Sequence, residues 1–462
     1  MIYFLPECAL AHAAERSSKV MRYAVWVGCI GCDKDSTRPV FCLRSRCTIR
    51  SVALLAMAAI ALMGGPLWAQ APQPQAAPQN VTPEQQQMID QLNAIGYLPG
   101  TERPPAKTGV TVYRKGEAYD GLNLYVAGHA PEATLMDMRG RVLHTWRCEY
   151  NTAWPARAIP DQGYGYLNWR RAYLYENGDL LAVFEGVGLV KLDKDSKLLW
   201  VYLGNSHHDL DVLENGDIYV LSRKAHMIPR INKEKPVLED FITLLDPQGH
   251  PKRELSLLEA AERSEYWPII WGLMHKDGDL FHSNTLKYLD GSMAGVSPLY
   301  KKGNILTSLR RINAIAIIDM EAGKLAWCKF GPWVAQHQPV LMKNGDMMLF
   351  DNNRFSDYSR VVEFEPFTEK IVWYYLGNPP NSFYSCACGS CQPLPNNNVL
   401  IVESQDGRAF EVKRDGTIVW DFTNPHIVGD DKKLIAYLFD LVRLRPDFPI
   451  GWTQAQSKQA RP

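Results

Sequence analysis

Three histidines of this sequence recur in one frame. His208 stands seven residues ahead of Asn215-Gly216, and His337 seven ahead of Asn344-Gly345. His282 holds the same place ahead of Asp290-Gly291, with one extra residue before its glycine. An imidazole that titrates near neutrality can attack as a nucleophile or carry a proton. Cations follow a second frame. Arg310 lies six residues after Asn304 and Arg223 six after Asp217, while the matching position after Asp346 is Asn352. Arg170 takes the histidines' own place, seven ahead of Asn177. Three histidines also make a zinc set, but their neighbours here are Arg and Asn rather than carboxylates. Positive charge beside the ligands repels a cation, so the cluster suits an anion, and no metal or other cofactor is expected.

Asn-Gly between two apolar runs marks a tight antiparallel hairpin, because both residues tolerate the positive φ such a turn needs. Each histidine therefore opens a strand that leads into a hairpin. The pattern extends to six blocks, in which an acid-x-x-Gly turn is followed by a strand ending in an aromatic. Asp137–Gly140 leads to Trp146, Asp193 to Trp200, Asp319 and Gly323 to Trp327, Glu365 to Trp373, and Asp415-Gly416 to Trp420, with Asp246–Gly249 as the remaining turn. Their spacing is that of propeller repeats, roughly 40–50 residues, and radial closure is how so long a strand array avoids open edges. The predicted fold is all-β, a six-bladed β-propeller with four-stranded blades.

In such a ring the first strand of each blade lines the central channel, so His208, His282 and His337 converge on the axis. Asn284 faces the same side by period-two geometry, and His207 faces away. Residues 258–264 read as a short helix, and Lys432–Val442 as a C-terminal one. The first block lacks a leading strand, which Gly109–Tyr113 supplies unless the ring closes another way.

Lys+Arg and Asp+Glu are both 50, so no global field draws nucleic acid or anionic membrane. Near the N-terminus, Arg44, Arg46 and Arg50 precede the uncharged run Ser51–Met63 and small residues up to Ala69. That is a secretory signal with cleavage expected after Ala69. The alternatives are a retained membrane anchor over Val52–Ala69 and a start further on, such as Met21. The expected organisation is a leader over 1–69, a flexible linker over 70–104 with an Ala/Pro/Gln-rich tether at its start, a propeller over 105–425, and a C-terminal helix and tail over 426–462. The expected location is periplasmic or secreted, with membrane attachment only through the leader. Beyond the leader five cysteines remain, Cys148, Cys328, Cys386, Cys388 and Cys391. A disulfide within the Cys386–Cys391 turn, or to Cys328, is expected ahead of a metal knot.

The segments AYDGLNLYVAG, HHDLDVLENGDIYVL, FHSNTL, SLRRINAIAIID, QHQPVLMKNGDMMLFDN and CQPLPNNNVLIVESQDGRAFEVKRDGTIVWDF together resemble the bacterial arylsulfate sulfotransferases (the ASST family), over roughly residues 105–425. The resemblance implies a periplasmic six-bladed propeller that moves a sulfuryl group from an aryl sulfate donor to a phenolic acceptor through a transiently sulfated histidine. It makes His337 the nucleophile, supplies His282 and Asn284 from the H-x-N motif and Arg310 after Ser-Leu, and offers His207 or His208 from the His-His-Asp motif. Ser390 is its candidate hydroxyl in the last blade, in a Cys-rich stretch that departs from the family pattern. Arg170 and Arg223 join as substrate-binding candidates from the internal frame, and Trp333 or Tyr384 as rings to stack on a phenol. The competing reading is a non-catalytic exported propeller that binds an anionic ligand or a protein partner.

Overall fold

Short strands separated by tight turns run from Gly109 to Leu444 in the computed structural model, which describes residues 81–159 and 163–453. Apart from the small pair of Ile427–Val428 with Leu434–Ile435, they form six sheets around an axis, a six-bladed β-propeller. Blade 1 joins Leu438–Leu444, Leu122–Ala127, Glu132–Met136 and Val142–Arg147. Blade 2 joins Trp169–Leu174, Leu180–Phe184, Gly188–Leu192 and Leu198–Tyr202. Blade 3 joins Ser206–Val212, Ile218–His226, Val237–Leu245 and Pro251–Ser256. Blade 4 joins Ser283–Tyr288, Ile305–Leu309, Ala314–Asp319 and Lys324–Phe330. Blade 5 joins His337–Leu341, Met347–Asp351, Arg360–Phe364 and Ile371–Tyr375. Blade 6 joins Ser390–Pro393, Val399–Glu403, Arg408–Val412 and Ile418–Thr423. The first strand named in each blade is the innermost, and these strands meet one another around the ring.

Apolar residues on both faces of the middle strands fill the gaps between blades. Leu124, Val126, Trp146, Trp169, Ala182 and Phe184 belong to one such cluster between blades 1 and 2. The repeated tryptophan has a physical reason, because it reaches across to the turn of the next blade. Trp146 Nε1 donates to Gly178 O at 3.0 Å, Trp373 Nε1 to Arg414 O at 2.9 Å, and Trp420 Nε1 to Met138 O at 2.9 Å. Trp200 packs on the turn of blade 3 so closely that a Cβ on Gly249, whose φ is 83°, would lie 2.7 Å from its ring. Only glycine fits there.

Closure differs from the sequence expectation. Leu438–Leu444 is a strand and not part of a helix, and it supplies the innermost strand of blade 1, pairing Leu444 with Leu122 and Asp440 with Val126. The propeller therefore extends past residue 425. Periodicity cannot separate a short buried strand from a helix in an apolar run, and here burial on both faces decides for the strand. Gly109–Tyr113 does not lead blade 1. It pairs with Ile418–Thr423 and covers the outer edge of blade 6.

The expected short helix is present as Leu257–Glu262, capped by Ser256. The linker is not flexible throughout. Pro83–Asn93 is a helix with a Thr82/Gln85 capping box and proline in its first turn, and Gln85 Nε2 donates to Glu234 O at 3.0 Å beside blade 3. The expected leader and signal segment, and the first part of the expected tether, lie outside the described residues. Among the described residues no helix is long and apolar enough to cross a membrane. Cys148, Cys328, Cys388 and Cys391 are buried thiols outside any disulfide, and Cys386 is buried too, so the expected disulfide within the Cys386–Cys391 turn or to Cys328 is not formed.

Candidate active site

The innermost strands of blades 2 to 5 each break their ladder near the axis. Such bulges bend the strand and turn side chains away from the regular alternation. His208 and Gln338 take φ of 54° and 49° at these breaks, and His282, just before the first paired residue Ser283 of blade 4, takes 52°, values uncommon for residues other than glycine. The consequence is clearest in blade 3. His207 pairs with Leu221, the fourth residue of its neighbouring strand, as His337 pairs with Phe350. The bulge of blade 3 holds one residue more than that of blade 5, so His207 takes the ladder position of His337 while His208 is the residue bulged inward. The expectation that His207 faces away is therefore wrong. Its Nδ1 lies 2.8 Å from His208 Nδ1, and both rings are buried.

The four imidazoles, with Arg170, Arg223 and Arg310, gather in one buried cluster at the axis, the chamber. His337 Nδ1 bonds to Asn352 Oδ1 at 2.7 Å and Ala335 O at 3.1 Å. Asn352 Nδ2 in turn donates to Ser385 O and Cys388 O, at 2.7 and 2.6 Å. Two carbonyl acceptors fix that amide with its oxygen toward His337, so His337 carries its proton on Nδ1. Its Nε2 keeps the lone pair and is buried without a hydrogen-bond partner among the described residues. Burial, with the charges of Arg310 and Arg170, pushes His337 well below the usual histidine range, against the Asn352 bond that raises it. That shift favours the neutral ring.

His282 is arranged differently. Its Nδ1 lies 2.5 Å from Asp279 Oδ2, and its backbone N–H donates to Asp279 Oδ1 at 3.0 Å. Burial pushes the Asp279 carboxyl up, but His282, Arg311 and Arg223 outweigh it and hold the group ionised. Burial lowers His282 while Asp279 raises it, the net direction being down. A carboxylate on Nδ1 fixes the tautomer and supports an imidazolium when one forms. Burial, followed by neighbouring positive charge, pushes His207 and His208 well down. Asp240, beside His207 Nε2 at 3.4 Å, is pushed up by burial and by the Asp279 charge.

The Arg310 side chain makes no hydrogen bond or ion pair to another described residue, and burial lowers its pKa. Arg170 gives one donor to Phe439 O at 3.0 Å and stacks on the Tyr97 and Phe439 rings at 5.5 and 5.6 Å. Arg223 faces Glu185 at 3.5 Å and donates to Ile95 O. Two predicted residues are engaged elsewhere. Asn284 Nδ2 donates to Gln336 O at 2.9 Å, which steadies the chain just before His337. Ser390 Oγ donates to Asp440 Oδ1 at 3.3 Å. Trp333 is core, packed with Leu306 and Met347, and Tyr384 Oη donates to Arg354 O at 3.1 Å.

Sequence reasoning missed three members. Asp279 sits in an irregular insertion whose Gly278–Asp279 segment pairs in parallel with Val237–Leu245, outside the repeat frame. Glu185 follows the second strand of blade 2 and accepts from the His208 backbone N–H at 2.9 Å. Tyr97 enters from before the propeller, its hydroxyl 2.6 Å from His208 Nε2 and 3.1 Å from His282 Nε2. Cavities of about 460 and 380 Å³ lie elsewhere, beside Trp267 and Trp271 and beside His144 and Lys194.

A family model described as Arylsulfotransferase (ASST) matches residues 171–425, more than half of the chain. No curated protein matches. Among solved structures, a protein of unknown function from Bacteroides caccae is 13% identical over 65% of this chain and 93% of that one, with a TM-score of 0.43. A streptogramin B lyase is 14% identical over 76% and 96%, with a TM-score of 0.40. The WD40 propeller domain of Doa1 is 12% identical over 71% and 97%, with a TM-score of 0.36. Likenesses this low carry no functional information.

Proposed function

The chain belongs to the arylsulfotransferase (ASST) family, and from that premise we propose that it transfers a sulfuryl group between phenols through a covalent intermediate on His337. Membership supports arylsulfotransferase activity in general, with aryl sulfates and phenols as substrates. The observation that carries the finer reading is the state of His337: a neutral ring with its proton locked on Nδ1 and a lone pair on an unpartnered Nε2.

In the first half-reaction His337 Nε2 attacks sulfur, the bond from sulfur to the aryl oxygen breaks, and the phenolate leaves. Charge on a transferring sulfuryl group spreads over its outer oxygens, as it does in phosphoryl transfer, so catalysis is mostly positioning and cationic stabilisation. Arg310 is suited to that task because among the described residues no carboxylate forms an ion pair with its side chain, the Asp279 charge acting on it only from a distance. In the second half-reaction an acceptor phenol attacks the sulfur, and His282 Nε2, oriented by Asp279, takes its proton. The proton gained there serves the departing phenolate of the next cycle. Splitting the transfer in two lets donor and acceptor use the same chamber in turn.

The test is a rapid quench of the full chain with 4-nitrophenyl sulfate, followed by peptide mass spectrometry. A sulfuryl group on the His337 peptide is expected, with turnover abolished and the fold kept in His337→Ala. Full turnover in that variant would remove the assignment. Ligand-induced stabilisation without any label would favour an anion-binding propeller.

A further inference from the structure

The residues between the helix and the propeller lie as a strap over the chamber. Ile95 O accepts from Arg223, Pro99 O from Tyr437 N at 2.8 Å, and Glu102 O from Ile435 N at 2.8 Å. Glu102 Oε1 also accepts from Gln405 Nε2 at 2.7 Å. Between these anchors, Tyr97 is half-buried with its hydroxyl among the imidazoles. The side chain is itself a phenol. Its ring is bounded by Arg170, Phe439 and His208, two aromatic edges and a guanidinium face, the surroundings a phenolic substrate would need.

Proton positions make the placement chemically specific. Asp279 holds the His282 proton on Nδ1, so the neutral ring accepts at Nε2 from the Tyr97 hydroxyl. The Tyr97 oxygen then accepts from His208 Nε2–H. The hydroxyl is thus already bonded to the base that would deprotonate an acceptor. Arg310 and Arg170 act on both the Tyr97 phenol and the His337 ring, so the two groups share one field.

We propose that Tyr97 is an internal sulfuryl acceptor, a site of self-sulfation that is used when no outside phenol occupies the chamber. The inference rests on the His337 reading above. Donor and Tyr97 compete for one aryl place, so the donor reacts with the strap lifted and Tyr97 returns behind the departing phenol. The Tyr97 oxygen then bonds to sulfur as the bond from sulfur to His337 Nε2 breaks. The phenolic proton passes to His282 Nε2, and His337 is restored neutral. No oxidant or further reactant is needed, since the aryl sulfate supplies the group. The product is an aryl sulfate ester whose charge is met by Arg310 and Arg170, and an added phenol can draw the group back out by the reverse steps.

The experiment uses the full chain with excess 4-nitrophenyl sulfate and no added phenol, quenched over a time course and mapped by peptide mass spectrometry. A sulfuryl group is expected first on the His337 peptide and then on the Tyr97 peptide, where it approaches one per chain and is lost again when a phenol is added. Tyr97→Phe should keep the His337 label and carry none at position 97. A label confined to His337 in the wild-type chain would overturn the proposal and leave the transfer mechanism standing. Label on neither peptide would overturn the mechanism and the proposal together.

Discussion

Arg170 and Arg171 are neighbours in sequence and belong to two different regions of the axis. The bulge between Trp169 and Arg171 sends them to different depths. Arg171 stands between carboxylates, with Nε 3.1 Å from Asp209 Oδ1 and Nη1 2.6 Å from Asp440 Oδ2, and it donates to Gln338 Oε1 at 2.7 Å. Around it the lacing spreads to every blade. Asp440 accepts from Ser390, Asp209 from Leu286 N at 2.9 Å, and Thr285 Oγ1 from Gln338 N at 3.0 Å. Arg170 meets only a carbonyl, two aromatic faces and distant charge. Its Nε, the Nε of Arg223 and Nε2 of His337 are buried without hydrogen bonds. Groups one or two residues apart on the same strands thus divide the work. The lace neutralises its cation and ties the ring, while the chamber, with only Arg223 facing a carboxylate, leaves Arg170, Arg310 and a lone pair open. Arg171 Nε lacks a hydrogen bond as well, but it faces Asp209 at 3.1 Å. The lone pair of His337 Nε2 and the Nε of Arg170 have no such partner, and unmet polarity in a native interior is costly.

The largest expected effect breaks the lace. Arg171→Met strands Asp209 and Asp440 in the interior, and removing one partner of a buried ion pair costs about 3–5 kcal/mol. Urea unfolding should show that loss as a lower midpoint. Arg170→Met strands no carboxylate and forfeits one hydrogen bond and weak ring contacts, about 1–2 kcal/mol, yet it should slow aryl sulfate turnover. Equal stability losses in the two variants would erase the distinction between the regions.

A finer cut separates orientation from charge within the chamber. Asn352→Ala removes the nearer of the two acceptors on His337 Nδ1, leaving Ala335 O at 3.1 Å, and takes one donor from Ser385 O and from Cys388 O, a cost of about 1–3 kcal/mol. Formation of the His337 label should slow by roughly 10- to 100-fold, while the affinity for donor changes little because Arg310 is untouched. If donor affinity fell instead and the labelling rate held, Asn352 would be a binding residue and the tautomer argument would fail.

Much of this arrangement was legible in the sequence because it is periodic. Acid-x-x-Gly turns and cross-blade tryptophans repeat, and so do the frames of His208, His282, His337, Arg223 and Arg310. What was missed is what repetition cannot encode. The length of the blade 3 bulge decides between His207 and His208, and a one-residue difference in a bulge has no sequence signature. Asp279 lies in an insertion, and Tyr97 in a segment that composition marked as linker. Leu438–Leu444 reads as helix or strand until the vacancy in blade 1 is known. Its buried Asp440 and Arg443, paired with Arg171 and with Glu411 at 2.9 Å, make sense only inside a ring.

The smallest expected effect concerns pH and follows from the same contrast, since the chamber holds four imidazoles and the lace none. Burial lowers His207, His208 and His337 well below the ordinary value of 6.5, and lowers His282 less. In the unfolded chain these rings take up protons as pH falls through about 6.5, while the folded chain resists. The unfolded state then binds more protons, so stability falls with falling pH, by up to about 1.4 kcal/mol per pH unit for each fully resisting imidazole. Asp240 opposes this in sign, because a carboxyl raised on folding adds stability at low pH and loses it as pH rises. The net expectation is a melting temperature that drops between about pH 7.5 and pH 5.5. His207→Gln, which keeps a polar side chain there and removes one titrating ring, should flatten that slope by one imidazole's share. An unchanged slope would mean that His207 is protonated in the folded chamber, and the account of a site held neutral by burial would have to give way.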